Sequence, residues 1–467
     1  MKLGLLAVID EFTPIYSVAN VVHAQLLGLQ DLGFDMVFIN NDGGTTPEWF
    51  KGETRFFPRL HLKDWFQEDV DDLWYGNAEL IVKPMVEALR GVDVVLVNDL
   101  LMQGWYLPYL WALRRAEEEL PNLKVHHLIH SGPTERRMLV PPRDELYRVT
   151  RQERVLYNNS SDLARVKAMY NTNRVIPVFN PVDVPKFLQL TEKAKQVYTK
   201  MRLWEGDVIT MYPTRMSPGK QIEKWLSVCA GVKRSGGVIK AIIANAWSNG
   251  AGPKLEMTKL SIHAKNEGLV KGVDWCFTSE FVDDAELGLD ADDISSLDRL
   301  CNVFIQTSIS ETCSLIQLEA MLNRQLLVLN EDLDCNGSGE LSGTWCMMAK
   351  FSSLTKTTRY HPDFPSYCND VGAAILNELA NSKTHKGFLR ALRYHNVINY
   401  ATALADAMGL DAPVSVETPQ PGPVLGASPK NQTTMPPSAS GEVPPSHPEV
   451  QLPTKPGGGL LVLGGGS

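Results

Sequence analysis

The stretch from residue 300 to residue 330, LCNVFIQTSISETCSLIQLEAMLNRQLLVLN, constrains the fold more than any other part of the chain. Its pattern predicts, in order, a buried strand, a polar loop, a helix and a second strand: Val303–Thr307, Ser308–Thr312, Cys313–Asn323 and Gln325–Leu329. Two strands joined through one helix form a parallel β-loop-α-β unit. Ligands of such sheets lie beyond the carboxyl ends of the strands, where a helix amino terminus offers N–H groups to an anion. The polar loop is therefore where we expect a phosphate group to bind.

The same alternation of strands and helices runs through both halves of the chain. The first half contains six strand-like runs: Leu3–Ile9, Asp35–Asn40, Val92–Asn98, Val125–Ile129, Arg154–Asn158 and Val175–Val178. After a linker at 183–206 the second half contains five more: Val208–Tyr212, Ile239–Ala244, Trp275–Thr278, Val303–Thr307 and Leu326–Leu329. Alternation of this kind predicts two doubly wound parallel sheets in tandem, with a cleft between their carboxyl edges.

The last part of the chain differs from the rest in composition. Residues 371–410 are rich in alanine and predict helices. Residues 413–467 hold 12 of the 29 prolines of the chain, together with Ser, Thr and Gly. Such a segment buries too little apolar surface to offset the entropy lost on ordering, so we expect a disordered tail at 411–467.

Bulk composition excludes several classes of protein. The net charge of −9 argues against a protein that coats nucleic acid over most of its surface, although it leaves a local basic patch open. No apolar run reaches 18 residues, and no signal-peptide pattern precedes the first strand, so we expect a cytoplasmic protein without a transmembrane segment. The seven cysteines include no C-x-x-C pair, so we predict no metal site.

Two acidic residues bracket the phosphate-facing loop, Glu311 within it and Glu319 within the following helix. Eight positions of helix correspond to a rise of about 12 Å. The two carboxylates are therefore too far apart to act on one atom, but they are suitably spaced to hold two ends of an elongated ligand. A nucleotide sugar has about that reach.

Two cations follow the first strand of the second half, Arg215 and Lys220 in the loop TRMSPGK. At the carboxyl end of a strand they are placed to neutralise a diphosphate leaving group. The alternative interpretation is that both are solvated surface charges, which is the usual situation for Lys and Arg.

The loop with these cations resembles an element of a known family. The sequence at 214–221 is similar to the G-R-x-x-x-x-K-G element of the family 4 retaining glycosyltransferases, with Thr214 and Gln221 in place of the glycines. The spacing of Glu311 and Glu319 resembles the E-x7-E signature of the same family. Residues 175–187 resemble a family segment that packs the domains together, and residues 275–287 resemble one that flanks the nucleobase. The resemblance covers roughly residues 3–405.

This resemblance implies the GT-B fold, in which two Rossmann-like domains face a central cleft. It implies an acceptor domain at 1–185, a nucleotide-sugar donor domain at 206–370, and helices at 371–410 that cross back to the first domain. It also implies transfer of a sugar from a nucleotide-diphosphate donor to a hydroxyl acceptor with retention of configuration. By the same resemblance no metal and no cofactor apart from the donor substrate is needed.

Roles for individual residues follow from the resemblance as well. Glu311 would hold sugar hydroxyls and Glu319 the ribose, while Arg215 and Lys220 would bind the diphosphate. Backbone N–H groups would assist at four positions: Thr312, Cys313, Ser314 and Leu315. His130, at the end of a first-half strand, resembles the histidine of a T-x-H element that lies against the donor sugar and the acceptor. His126 and His127 have no such match, and we expect them in the core and on the surface respectively.

The first loop of the chain departs from the family pattern. Family members commonly carry a glycine pair there, whereas this chain reads DEFTPIYS at 10–17. Thr13, Ser17 and the following helix amino terminus are the candidates for binding phosphate oxygens on this side of the cleft.

The acceptor is the least constrained part of the prediction. Six arginines lie between residues 136 and 154, and Arg136, Arg137 and Arg151 are candidates for an acceptor groove. A solvated helix with ion pairs such as Glu145 with Arg148 explains the same stretch. A glycan, a lipid-linked sugar and a hydroxymethylated DNA base, as in phage DNA glucosyltransferases, stay open as acceptors. A catalytically silent GT-B module that binds a nucleotide or glycan is the rival hypothesis.

Overall fold

A computed structural model describes residues 1–10, 12, 17–60, 72–101, 106–130, 147–214, 216–244, 253–283, 288–312, 314–337, 342–354, 356 and 363–413. The part of the predicted tail from residue 414 onward lies outside these ranges. None of the helices within them is long and apolar enough to cross a membrane.

The first half of the chain forms a parallel sheet. Its strands among the described residues, β1 to β7, are Lys2–Leu6, Asp35–Asn41, Glu53–Phe57, Val94–Asn98, Lys124–Ile129, Arg154–Tyr157 and Val175–Pro177. Their order across the sheet is β3-β2-β1-β4-β5-β6-β7, and every neighbouring pair is parallel. The sequence pattern did not predict β3, which lies at the edge of the sheet.

Helices cover both faces of this sheet. The helices of the first half and the linker, α1 to α6, are Ser17–Asp31, Asp72–Leu89, Leu107–Glu119, Leu163–Met169, Val184–Phe187 and Glu192–Lys200. Apolar residues of α2 and α3 pack with one set of strand side chains, such as Leu6 and Val37. Those of α1 pack with the opposite set, such as Leu5 and Phe38. Alternate residues of one strand therefore enter different cores, which explains why the strands are apolar almost throughout.

The second half forms two three-stranded parallel groups. Its strands, β8 to β13, are Val208–Pro213, Ile239–Ala244, Trp275–Phe277, Val303–Ile305, Leu326–Asn330 and Cys346–Ala349. Within the described residues their orders are β10-β9-β8 and β11-β12-β13. Asn302 joins the two groups, because its N–H donates to Ile209 O at 3.0 Å and its Oδ1 accepts from Ile209 N at 2.8 Å. The start of β11 therefore lies beside the start of β8.

The helices of the second half again lie on both faces. The described ones, α7 to α15, are Ile222–Arg234, Pro253–Asn266, Thr278–Phe281, Ala291–Asp298, Leu315–Leu322, Asp334–Gly337, Phe364–Asn381, Lys383–Tyr394 and Val397–Met408. Helices α7 and α13 share one core with Val208. Helices α6 and α10 share the other core with Ile209. The doubly wound parallel arrangement predicted from the sequence is confirmed in both halves, and it is the arrangement expected of the GT-B fold.

The last described helix packs against the first. Gly28 of α1 faces α15, where a Cβ atom would lie 2.6 Å from Ala401 Cβ and 2.9 Å from Val397 O. Any larger residue at position 28 would force the helices apart. Residues Tyr400, Ala401 and Leu404 of α15 complete the core on this face of the first sheet.

Candidate functional site

Strand order in the second half creates a reversal point between β8 and β11. From β8 the chain winds outward through β9 to β10, and from β11 it winds the other way through β12 to β13. Helices α7 and α11 begin beyond the carboxyl ends of these two central strands. Ligands of open parallel sheets bind in the crevice at such a point. The loops after β8 and β11 are therefore the place where a ligand is expected.

The backbone after β8 is held in one conformation by hydroxyl groups. Tyr212 Oη donates to Lys220 O at 2.9 Å, and Thr307 Oγ1 contacts the carbonyl oxygens of Lys220 and Gln221, both at 3.1 Å. Gln221 has a φ of +50°, which is the left-handed region that glycine favours. A residue other than glycine therefore adopts a glycine-like backbone conformation at this position. Its side chain compensates in part, since Gln221 Nε2 donates to Pro218 O at 2.7 Å.

The loop after β11 is tied to the loop after β8 and to β12. Ile309 N–H donates to Gly219 O at 2.9 Å, which joins the two loops directly. Asn330, at the end of β12 and fully buried, donates from Nδ2 to Ser308 O at 2.9 Å and to Ser352 O at 2.8 Å. These bonds position the segment that leads to Glu311.

Lys220 and Glu311 form an ion pair at this point. Lys220 Nζ lies 2.5 Å from Glu311 Oε1, and the side chains are 25% and 17% exposed. Two of the predicted site residues, separated by 91 positions in the chain, are thus in direct contact. The pair is electrically neutral, so a charged ligand group that is attracted by one partner is repelled by the other. Arg215 lies outside the described residues.

The helix amino terminus lies slightly later than predicted. Helix α11 begins at Leu315 rather than at residue 313, and Ser314 is its N-cap, with Oγ accepting from Gln317 N at 3.4 Å. The first amides of a helix have no acceptor within the helix and suit an anion. Leu315, at the first helical position, has an exposed side chain, and Thr312 is exposed as well. Cys313 lies outside the described residues.

Glu319 is not part of this ion pair. Its carboxyl group is near Asp298 at the end of α10, and partial burial together with that charge raises the pKa of Glu319. Within the described residues no hydrogen bond or ion pair joins Glu319 to Lys220 or Glu311. The predicted separation of 12 Å does not apply, because neither Thr312 nor Ser314 is helical.

In the first sheet, His130 follows β5 and is fixed by the end of β4. His130 Nε2 lies 2.9 Å from Asn98 Oδ1, and His130 N–H donates to Asp99 Oδ1 at 3.0 Å. Asp99 has a φ of +61°, a strained conformation that aims its carboxylate at this backbone. Burial lowers the pKa of His130 and the charge of Asp99 opposes that shift, so the imidazole is neutral near pH 7.

The prediction that His127 lies on the surface is wrong. Both His126 and His127 are buried, because β5 lies between β4 and β6 and is covered on both faces. His127 Nε2 lies 3.7 Å from Glu153 Oε1, and Glu153 also pairs with Arg114 of α3. This buried charged cluster belongs to the amino-terminal edge of the sheet and serves packing.

The remaining predicted residues are not brought to the site or lie outside the described ranges. Ser17 is the first residue of α1 and is exposed, and α1 follows β1 in the chain. Arg151 is exposed but precedes β6, so it lies at the amino edge of the sheet, opposite the edge that carries His130. Thr13, Arg136 and Arg137 lie outside the described residues.

A cavity of about 310 Å³ adjoins the loop after β8 on the side of α7 and α8. Glu223 and Glu256 both line it. Lys224 lines it as well, but its Nζ donates to Phe351 O at 2.6 Å and to Ser352 Oγ at 2.9 Å. The two negative charges oppose an anionic ligand, so the cavity does not suit a diphosphate. The ion pair at the reversal point, which the cavity does not include, is the better candidate for the site.

No family model and no curated protein matches the chain. Among solved structures, a glycosyltransferase from Rickettsia africae has 12% identity over 87% of this chain and 97% of its own, with a TM-score of 0.33. Anabaena HepE in complex with UDP and glucose has 14% identity over 88% and 99%, with a TM-score of 0.33. An α,α-trehalose 6-phosphate synthase from Burkholderia multivorans has 13% identity over 87% and 98%, with a TM-score of 0.33.

Proposed function

We propose that this protein is a GT-B glycosyltransferase that moves a sugar from a nucleotide-diphosphate donor to a hydroxyl group. The observation that carries the proposal is the Lys220–Glu311 ion pair at the reversal point between β8 and β11. A cation suits a phosphate and a carboxylate suits sugar hydroxyls. In a sugar diphosphate the phosphate and the sugar are adjacent, so a cation and a carboxylate that lie side by side can bind both.

Donor binding in this proposal is an exchange of partners. Lys220 turns from Glu311 to a phosphate oxygen, and the Glu311 carboxylate then accepts hydrogen bonds from the sugar hydroxyls. Arg215 and the first amides of α11 supply the rest of the positive potential for the diphosphate. The cations take the role that a metal ion has in other transferases, so the reaction as proposed is independent of metal and of any cofactor.

Transfer with retention of configuration is proposed from the family resemblance. The departing phosphate oxygen and the attacking hydroxyl then meet on one face of the sugar, without a protein nucleophile. His130 is neutral and contributes hydrogen bonding rather than positive charge beside the sugar. Glu319 is proposed to bind the ribose, since it lies one turn into the helix whose amino terminus faces the diphosphate.

A glycan or lipid-linked sugar is the proposed acceptor. The alternative acceptor, a hydroxymethylated DNA base, was suggested by the arginine stretch that follows His130 and by the atypical loops. Arg151 lies at the opposite edge of the first sheet, so it gives that alternative no support.

The proposal is tested by measuring donor binding and turnover together. Thermal unfolding with a panel of uridine, guanosine and adenosine diphosphate sugars identifies the donor, and hydrolysis of that donor in the absence of acceptor measures turnover. We expect Glu311→Gln to lower turnover by about 100-fold or more, and the surface change Glu118→Gln on α3 to leave it unchanged. Binding without turnover in the unmodified protein would show a silent module, and no response to any nucleotide sugar would refute the proposal.

A further inference from the structure

The side chain of Asn98, the last residue of β4, connects three elements around His130. Asn98 Oδ1 accepts from Gln25 Nε2 of α1 at 3.0 Å and lies 2.9 Å from His130 Nε2. Asn98 Nδ2 is directed to Leu6 O of β1 at 3.4 Å. Asn98 is 3% exposed and Gln25 is fully buried, so water does not compete for these bonds.

The chain of hydrogen bonds continues to the last helix. Gln25 Nε2 also donates to Tyr400 Oη at 3.0 Å, and Tyr400 belongs to α15. Helices α1 and α15 are held in close contact at Gly28, one turn from Gln25. The ring of His130 is thereby linked, through two buried amides, to a helix that follows the second sheet in the chain.

We propose that Asn98, Gln25 and Tyr400 are positioning residues that hold His130 in the tautomer with its proton on Nε2. This inference rests on the proposed function only in assigning His130 to the transferase site. An amide oxygen has no proton to donate, so both Gln25 and His130 must donate to Asn98 Oδ1. The amide nitrogen of Asn98 is already directed to Leu6 O, which fixes the orientation of the amide.

A proton on Nε2 of His130 makes the other ring nitrogen, Nδ1, a hydrogen-bond acceptor. When Nε2 carries the proton, Nδ1 of a neutral imidazole carries the lone pair and accepts a hydrogen bond. No hydrogen bond to His130 Nδ1 is found within the described residues. His130 therefore offers an acceptor to a hydroxyl of the sugar or of the attacking substrate, and it orients that hydroxyl.

Nitrogen-15 NMR of the full chain labelled at histidine tests the tautomer without any substrate. The chain has ten histidines, and His130→Gln assigns the resonance. We expect His130 to show a protonated Nε2 at pH 7.5. We expect Asn98→Leu to remove that preference, and Asn98→Asp to keep it while raising the pKa of His130. A proton on Nδ1 in the unmodified protein, or no change in Asn98→Leu, would overturn the inference.

Kinetics of the intact protein give a second readout once a donor is known. We expect Tyr400→Phe to lower kcat by roughly tenfold with the donor KM unchanged, since one supporting hydrogen bond is lost. Asn98→Asp should retain activity and move the pH profile of kcat to higher pH. The matched control is Tyr394→Phe, because Tyr394 is exposed at the end of α14. Equal losses in Tyr400→Phe and Tyr394→Phe would contradict the positioning role.

The two readouts separate this inference from the proposed function. If the NMR result is as expected but no nucleotide sugar is turned over, the hydrogen-bond chain stands and the transferase assignment fails. If turnover is found but the tautomer does not depend on Asn98, the transferase stands and the positioning inference fails. Thermal unfolding of each variant confirms that it is folded.

Discussion

Replacing Glu311 with glutamine should have opposite effects on two ligands. In the resting protein Glu311 holds Lys220 at 2.5 Å, and both side chains are mostly buried. A nucleoside diphosphate without sugar gains nothing from the carboxylate but must draw the lysine away from it. A nucleotide sugar loses the hydrogen-bond acceptor for its hydroxyls. We therefore expect Glu311→Gln to bind the nucleoside diphosphate more tightly and to transfer sugar more slowly.

The magnitude follows from the strength of the ion pair. Two unit charges about 4 Å apart attract by about 4 kcal/mol at an effective dielectric constant of about 20. Desolvation and the remaining exposure of both side chains reduce the net value to about 1 kcal/mol. Removing the competing carboxylate should then lower the Kd of the nucleoside diphosphate by roughly five- to tenfold. Loss of the sugar contacts in the transition state should lower kcat by about 100-fold or more.

Isothermal titration calorimetry measures how far Glu311 weakens the binding of the nucleoside diphosphate to Lys220. The titrations use low salt and the single and double variants of Lys220 and Glu311. Lys220→Met should weaken binding whether or not Glu311 is present. In the Lys220→Met background, Glu311→Gln should tighten binding much less, because the competition for the lysine no longer exists. Glu118→Gln serves as the control for a change of net charge. Weaker binding of the nucleoside diphosphate to Glu311→Gln would refute the exchange of partners.

Three further predictions concern stability. Burial, His127 and Arg154 lower the pKa of His126 to about 4, so the stability that neutral His126 provides is complete above pH 6.5 and is lost toward pH 4. The free energy of unfolding, measured with urea, should fall by about 3 kcal/mol between pH 6.5 and pH 4, and a free energy that does not change over this pH range would contradict the prediction. The free energy of unfolding of Gln221→Gly should exceed that of Gln221→Ala by about 1 kcal/mol, measured by urea unfolding, because only glycine is unstrained at a φ of +50°. Asn330→Leu should lower the free energy of unfolding by about 3 kcal/mol, since it leaves buried backbone groups without partners; a change below about 1 kcal/mol would contradict that account.

The central strands could be predicted from the sequence, whereas two of the edge strands, β3 and β13, could not. Strands such as β1 and β8 are covered on both faces and read as continuous apolar runs. Strands β3 and β13 lie at the edges of their groups and are partly exposed, with the sequences ETRFF and CMMA. Where part of a strand faces solvent, apolar residues are not required there and the pattern disappears. The edge strand β10, by contrast, is buried at all three positions and has the apolar sequence WCF, which could be predicted.

Two predictions, the start of α11 and the exposure of His127, were wrong for different reasons. The start of α11 carried a usable signal, because Ser314 followed by Gln317 has the spacing of a capping box, and this pattern places the first helical residue at Leu315. The burial of His127 carried no local signal. Its charged neighbours Glu153 and Arg114 come from other elements, and only the strand order brings them to β5.

The contact between Lys220 and Glu311 could not be predicted from sequence motifs. Each residue could be assigned to the site separately, since each follows the carboxyl end of a predicted strand. Their contact depends on β8 lying next to β11, an adjacency that strand patterns leave undetermined and that Asn302 provides through its bonds to Ile209. The family motif treats the lysine as a phosphate ligand and the glutamate as a sugar ligand, and so implies two independent charges. Because the structure joins them into one neutral pair, a phosphate that draws Lys220 away leaves the Glu311 carboxylate without its counter-charge unless sugar hydroxyls bind it, which favours the intact donor over the nucleoside diphosphate alone.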